Sequence, residues 1–503
     1  MRPRGDGAPV SRSRRRAITA GLLLGMSLGA LEATVVGTAM PTVVATLGGL
    51  AHYGWVFSSY LLTSTASVPI WGRLSDLYGR RRMYLTGVAI FLVGSALSGA
   101  ASSMETLIAA RALQGLGAGA VVPLSMTIIG ELYTLAERAR VQALFSGVWG
   151  IASIAGPLVG GYITDAISWR WVFYLNIPFG LLAVLVIALA YPRSARTAVA
   201  HVDWAGAALM FSGVSALLLA LGGEAGGAGW WLLAAIALLG SFYLVERRVT
   251  EPIMPVALLG TPVVTRTLVV VFLLGVSMFG AIAFIPLFVQ GVIGGSATQA
   301  GQVLTPLFLG WVGTSILGAR LTVQVGYRRV AFGGVVLITA GFGGLTSLDA
   351  ASTQTPLLAS CFVIGSGMGF AMLSLLLALQ HGVERSQLGI ATSLNQFSRS
   401  IGAASGVAAM GTLMTRRLSG LDLAGGAATL NAAALTPAVR GQFAAGLHDV
   451  FLAGTVAAGA ALIATLFLPE VDFGQGVPAG SGERLIAAEM ANLEPDDEPR
   501  GVK

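Results

Sequence analysis

The chain has 503 residues, 55% of them hydrophobic and 11% charged, with a mean hydropathy of +0.79; a soluble domain carries about 25% charged residues, so an integral membrane protein is expected. The net charge of +7 and the pI near 9.9 come from arginines in short loops, which reads as membrane topology and not as a nucleic-acid footprint. One cysteine (Cys361), four scattered histidines (His52, His201, His381, His448) and one lysine at the extreme terminus (Lys503) exclude an intrachain disulfide, a metal-ligand cluster and a Lys-dependent phosphate loop, so neither a cofactor nor an enzyme is expected.

Residues 1–16 hold six arginines and read as a basic cytoplasmic N-terminus. The apolar run at 17–40 is long enough to span a bilayer of roughly 30 Å and is expected to be an uncleaved first helix. Further stretches near 53–72, 83–102, 105–130, 141–163 and 171–191 complete an N-terminal six-helix bundle over 17–192. Polar or proline-containing segments at 193–203 and 246–265 isolate two additional helices within 203–246. Stretches near 267–290, 301–318, 330–347, 355–380, 389–415 and 449–468 make a C-terminal six-helix bundle over 266–468, followed by an acidic cytoplasmic tail at 469–503. The expected class is an all-α polytopic membrane protein with about fourteen transmembrane helices, six plus two plus six. An N-terminus on the cytoplasmic side of the cell membrane places nearly all loop arginines inside, with Arg170 the outer exception before residue 416. Both termini are then cytoplasmic. Residues 416–448 carry Arg416, Arg417 and Arg440 on the outer side, in a longer loop where the rule is weaker.

The turn Gly72-Arg73-Leu74-Ser75-Asp76-Leu77-Tyr78-Gly79-Arg80-Arg81-Arg82 follows the second stretch and is partly repeated 247 positions later, from Ala319 to Arg329. An echo at half the chain length points to a duplicated bundle. Glycines permit a tight turn and close helix approach. Asp76 can cap the third helix or pair with arginines, whereas the second copy has Val323 in its place.

This turn resembles the loop between spans two and three of the major facilitator superfamily, with Gly72, Leu74, Asp76, Gly79, Arg80 and Arg81 matching. Leu31 to Pro41 is similar to the first-span pattern of the fourteen-span drug:proton antiporter (multidrug efflux) family, with Glu32 for its Asp and Gly37 for its Asn. Arg111, Gln114, Gly115 and Gly117 resemble the fourth-span motif. Gly147, Gly150, Gly156, Pro157, Gly160 and Gly161 resemble the motif described as characteristic of antiporters. Trp169-Arg170-Trp171 through Asn176 and Pro178 matches a further family segment. The resemblance implies a secondary transporter that exports hydrophobic or cationic compounds, antibiotics among them, by proton antiport with alternating access. Its partners would be a small-molecule substrate, protons and the bilayer, and the protein a monomer. Export of an endogenous lipid, peptide or metabolite is the competing reading, and a receptor or scaffold that does not transport is the reading from another class.

An ionisable group inside a span is costly and is a functional candidate by default. Glu32 and Arg111 lie at similar depth, roughly 12 Å and 9 Å below the outer ends of spans one and four at 1.5 Å per residue. Glu32 can take a proton or a substrate cation, with Arg111 tuning it; the alternative is a static buried pair. Gly72, Asp76, Gly79, Arg80 and Arg81 are the expected inner gate. Gly156, Pro157, Gly160 and Gly161 are expected to form a kinked, tight interface that opens and closes the outer side. The polar or aromatic mid-span residues Gln114, Trp149, Phe284, Gln290, Trp311, Asn395 and Phe397 are the candidate substrate pocket. Arg399 either faces the inner vestibule or snorkels to headgroups.

Overall fold

Within lipid a long apolar segment can satisfy its backbone groups only internally, which forces helix. The computed structural model describes residues 11–133, 135–192, 203–222, 227–249, 256–349, 351–384, 387–418 and 437–470. Over these the chain forms α1 (Arg12–Leu47), α2 (Tyr53–Tyr78), α3 (Arg80–Ala100), α4 (Met104–Leu132), α5 (Leu135–Ala166), α6 (Arg170–Tyr174), α7 (Asn176–Ala190), α8 (Trp204–Leu221), α9 (Ala228–Glu246) and α10 (Val256–Leu259). It continues with α11 (Pro262–Phe288), α12 (Ala297–Val325), α13 (Tyr327–Thr346), α14 (Gln354–His381), α15 (Leu388–Leu418) and α16 (Pro437–Leu466). Of the basic N-terminus expected at 1–16 and the acidic tail expected at 469–503, residues 1–10 and 471–503 lie outside the described residues, while Arg12 to Arg16 already belong to α1.

Twelve described helical segments are long and apolar enough to cross a membrane. That count is lower than the fourteen expected, because α2 and α15 are not among them. Both carry polar runs: Ser58, Ser59, Thr63, Ser64, Thr65 and Ser67 in α2, and Thr392, Ser393, Asn395, Gln396, Ser398, Arg399 and Ser400 in α15. Such helices survive in a bilayer by turning their polar groups to protein or to a water-filled space. Other boundaries also differ from the expected ones. The first helix begins at Arg12 and continues to Leu47. The segment expected at 171–191 is divided at Leu175 between α6 and α7. The last helix begins at Pro437 and α15 runs to Leu418, so all the described residues of the loop expected at 416–448, namely 416–418 and 437–448, are helical.

The internal repeat is visible in backbone and packing alike. Gly79 and Gly326, 247 residues apart, terminate α2 and α12 with φ of +90° and +87°, a conformation that glycine alone adopts freely. In the N-terminal set α4 packs on α2 and α3 and α1 on α5 and α7; in the C-terminal set α14 packs on α12 and α13 and α11 on α15 and α16. Gly87 lies against Gly117 in the first set and Gly334 against Gly367 in the second, small residues that let backbones touch where lipid offers no hydrophobic drive. Helices α8 and α9 pair with each other, and α8 packs against both α2 and α15. The residues there include Met210, Val214 and Leu218 against Leu62, Ala66, Ile401, Ala404 and Ala408.

Candidate functional site

Glu32 on α1 and Arg111 on α4 meet in a sealed polar cluster, 3% and 2% exposed respectively. The Arg111 Nη1 donates to Glu32 Oε1 and also to Gln114 Oε1 at 2.7 Å, while its Nε donates to the Val56 carbonyl at 3.2 Å. The guanidinium lies 4.3 Å from the ring centroid of Tyr60, a favourable placement for a cation. The second carboxylate oxygen, Glu32 Oε2, accepts from Gln114 Nε2 at 2.7 Å and from Asn176 Nδ2 at 2.9 Å. Ser95 Oγ accepts from the same two amides and donates to the Phe173 carbonyl at 2.8 Å. Helices α1, α2, α3, α4 and α7 therefore share one charge-neutral knot. A buried ion pair is expensive to break from one side, about 3–5 kcal/mol when a partner is removed.

The two helix sets touch at the end of the bundle opposite the start of α1, here the far end. Thr42 Oγ1 donates to Gln290 Oε1 at 3.1 Å, Gln290 Nε2 to the Thr38 carbonyl at 2.9 Å, Ser58 Oγ to the Ala404 carbonyl at 3.0 Å, and Tyr53 Oη to the Ala283 carbonyl. At the rim, the Asp165 carboxylate on α5 accepts from Ala297 N (3.1 Å), Thr298 N (2.8 Å) and Thr298 Oγ1 (2.6 Å). It thus caps the first turn of α12, where backbone N–H groups are unpaired and an anion is favoured. Gly161 sits on the Ala297 carbonyl and Gly301 on the Pro157 carbonyl, so closely that a Cβ at either position would collide. Toward the near end the described glycines of these helices meet no such partner. A Cβ at Gly150 would find only Val312 at 4.0 Å, and one at Gly147, Gly72 or Gly313 nothing within 4 Å. Among the described residues, the hydrogen bonds between the two sets all belong to the far half.

The sequence-expected residues divide accordingly. Gly156, Pro157, Gly160 and Gly161 line the α5 face, with Gly156 and Gly160 against Thr34, Val35 and Thr38 of α1 and Gly161 at the seam. At the near turn, Arg80 pairs with Glu131 Oε1 at 3.0 Å and Arg81 donates to the Ala188 carbonyl; both ties stay within the N-terminal set. The Asp76 side chain lies outside the described residues. Trp149 on α5 and Trp311 on α12, both half-buried, flank the region where α5 and α12 part, and Asn395 keeps a buried Nδ2 without a hydrogen-bond partner.

Four of the pocket residues sit elsewhere. Gln114 belongs to the ion-pair knot. Phe284 is fully buried in the far seam, 5.4 Å from the Tyr53 ring, and Gln290 is bonded there. Phe397 packs toward α8, beside Met210. Their depth is as expected but their helix faces are not. Conversely, the sequence assigns no role to Ser95, Tyr60, Asn176 or Asp165, which the structure brings to the knot and the seam. Asn176 belongs to the segment from Trp169 to Pro178 that resembles the family's, and Asp165 follows Gly161 by one helical turn; Ser95 and Tyr60 carry no such signal.

The Major Facilitator Superfamily family model matches residues 22–407. The chain is 41% identical over 416 residues to "Multidrug transporter protein MdtP" of Bacillus subtilis, covering 81% of this chain and 77% of that protein. It is 36% identical over 420 residues to "Multidrug resistance protein 3" of the same organism, covering 82% and 81%. Among solved structures, it resembles a bacterial homolog to the human lysosomal transporter Spinster, inward-facing and unoccupied, with a TM-score of 0.65 at 16% identity over 91% of this chain and 98% of that one.

Proposed function

We propose that this chain, which belongs to the Major Facilitator Superfamily, is a proton-driven exporter of hydrophobic organic compounds. Its multi-pass membrane fold and its likeness to multidrug transporters support export; the sealed Glu32–Arg111 knot is the observation that carries proton coupling. A carboxylate in the membrane interior can move a proton only if it can be both charged and neutral there, and Glu32, held by donors from Arg111, Gln114 and Asn176, is the buried carboxylate placed for that role.

The reading is of an inward-open state with fourteen spans, α2 and α15 included, and both termini in the cytoplasm. Cargo enters from the near end between α5 and α12, past Trp149 and Trp311. The far seam then opens, cargo leaves, and a proton reaches Glu32 from outside; closing the seam returns the proton to the cytoplasm. In this cycle Gly161 and Gly301 are the contact faces of the outer gate. The near-end turn with Gly72, Asp76 and Gly79 is the inner gate. Cationic cargo fits less well than neutral cargo. Among the described mid-span residues Glu32 is the only acid, and its two oxygens are already taken.

The test is Glu32→Gln in proteoliposomes carrying an inward-directed or outward-directed proton gradient. Gln retains size and hydrogen bonding but cannot titrate. Cargo counterflow should persist while gradient-driven accumulation is lost; accumulation equal to wild type would sink the assignment.

A further inference from the structure

Arg399 on α15 has no part in the knot or the seam. It lies 11 residues from Leu388, the start of α15, roughly 16 Å along the helix axis. Around α15 it stands about 160–180° from Phe397, Ile401 and Ala408 at 100° per residue, the face that packs toward α8 and α2. It shares its side of α15 with Thr392, which accepts from Gln380 of α14, and with Gly406, which packs on Val276 of α11, so it is directed toward the interior of the C-terminal set; it is only partly buried, as is Asn395, while Gln396 is exposed.

The only polar partner of its side chain among the described residues is Gln396 Oε1, accepting from Nη2 at 2.6 Å, and no carboxylate pairs with it. One turn earlier, the buried Asn395 Nδ2 also lacks a partner. Glu32 and Arg111 cancel each other, so the described mid-span interior retains one positive charge, with an unused amide donor beside it. Unpaired cations and donors at this depth are costly and call for an occupant.

We propose that Arg399, assisted by Asn395, receives the anionic group of an amphipathic cargo, so that organic anions with a long apolar body are preferred over their neutral and cationic counterparts. The guanidinium supplies planar, charge-assisted donors to a carboxylate or sulfonate. The apolar body then lies toward Trp149 and Trp311. This rests on the reading of the chain as an exporter and specifies the charge of what it carries.

The experiment measures binding to the full chain in phosphatidylcholine nanodiscs. The probes are 11-(dansylamino)undecanoate and its methyl ester, which differ by one charge, with partition into empty discs subtracted. Wild type should bind the carboxylate roughly ten- to a hundredfold more tightly than the ester, the range of a hydrogen bond to a charged group. Arg399→Gln should bring the carboxylate to the ester value without changing the ester, and Arg399→Lys should keep part of the preference. Equal binding of the two probes by wild type, or a preference that survives Arg399→Gln, overturns the proposal. Discs doped with phosphatidylglycerol separate the sources: an undiminished preference assigns the site to free cargo, whereas its loss in wild type alone makes the lipid headgroup the occupant and overturns the cargo assignment. No proton gradient is used, so a failure of anion preference leaves proton-driven export standing, and loss of coupling in Glu32→Gln leaves the binding preference intact.

Discussion

Asp165→Ala should open the far end. Asp165 accepts three hydrogen bonds from the first turn of α12, at 2.6, 2.8 and 3.1 Å, and they join one helix set to the other. Buried bonds to a charged group contribute about 1.5–3 kcal/mol each, but Asp165 is exposed at the rim, where solvent screening leaves about 1–2 kcal/mol for the whole contact. That energy exists only while the seam is closed, so all of it weighs on the closed-to-open equilibrium and none on the fold of either set. The population ratio should move about 5- to 30-fold toward the open form, at 1.4 kcal/mol per factor of ten. Spin labels at Ser102 and Thr353, in short far-end connections of the two sets, would report it by double electron–electron resonance in a background where Cys361 is replaced by serine. A longer-distance population should grow in Asp165→Ala and less so in Asp165→Asn, which keeps one acceptor. An unchanged distance distribution in a folded Asp165→Ala protein would refute the argument that this carboxylate holds the halves together.

Gly301→Val forces a side chain into the Pro157 carbonyl; the protein should insert normally, label readily at far-end cysteines and fail to transport, whereas full transport would show that the seam need not close there. Asn176→Leu removes a donor from both Glu32 Oε2 and Ser95 Oγ. It should cost about 1–3 kcal/mol, the penalty for an unsatisfied buried group, visible as a lowered melting temperature, and an unaltered melting temperature would remove Asn176 from the knot.

Charge was the most legible part of the site. Only a handful of acids and bases fall inside apolar stretches, and desolvation makes a single partner for each almost obligatory, so Glu32 and Arg111 could be paired without coordinates. The donors around them could not. Ser95 and Asn176 are neutral, the chain has many such residues, and nothing in a linear pattern says which helix face turns toward α1. The same uncertainty misplaced Phe284, Gln290 and Phe397. A helix packed on several sides has no clean apolar stripe from which to read its rotation. The repeat was legible because Gly79 and Gly326 answer a backbone requirement, which leaves a residue-type signature. The early start of α16 was hidden because Arg440, His448 and Asp449 interrupt the hydropathy of a helix that continues past its apolar part.

The two helix sets meet along two lateral lines, α2 with α15 and α5 with α12, and α8 lies over the first by touching both of its members. The second presents Ile151 and Tyr162 of α5 and Leu309 and Ile316 of α12 with exposures of 70%, 63%, 48% and 63%. A compound dissolved in the bilayer leaflet thus finds the protein one-sided. Its sideways approach to the space between the halves is screened by an additional helix along one edge and bordered only by greasy side chains along the other.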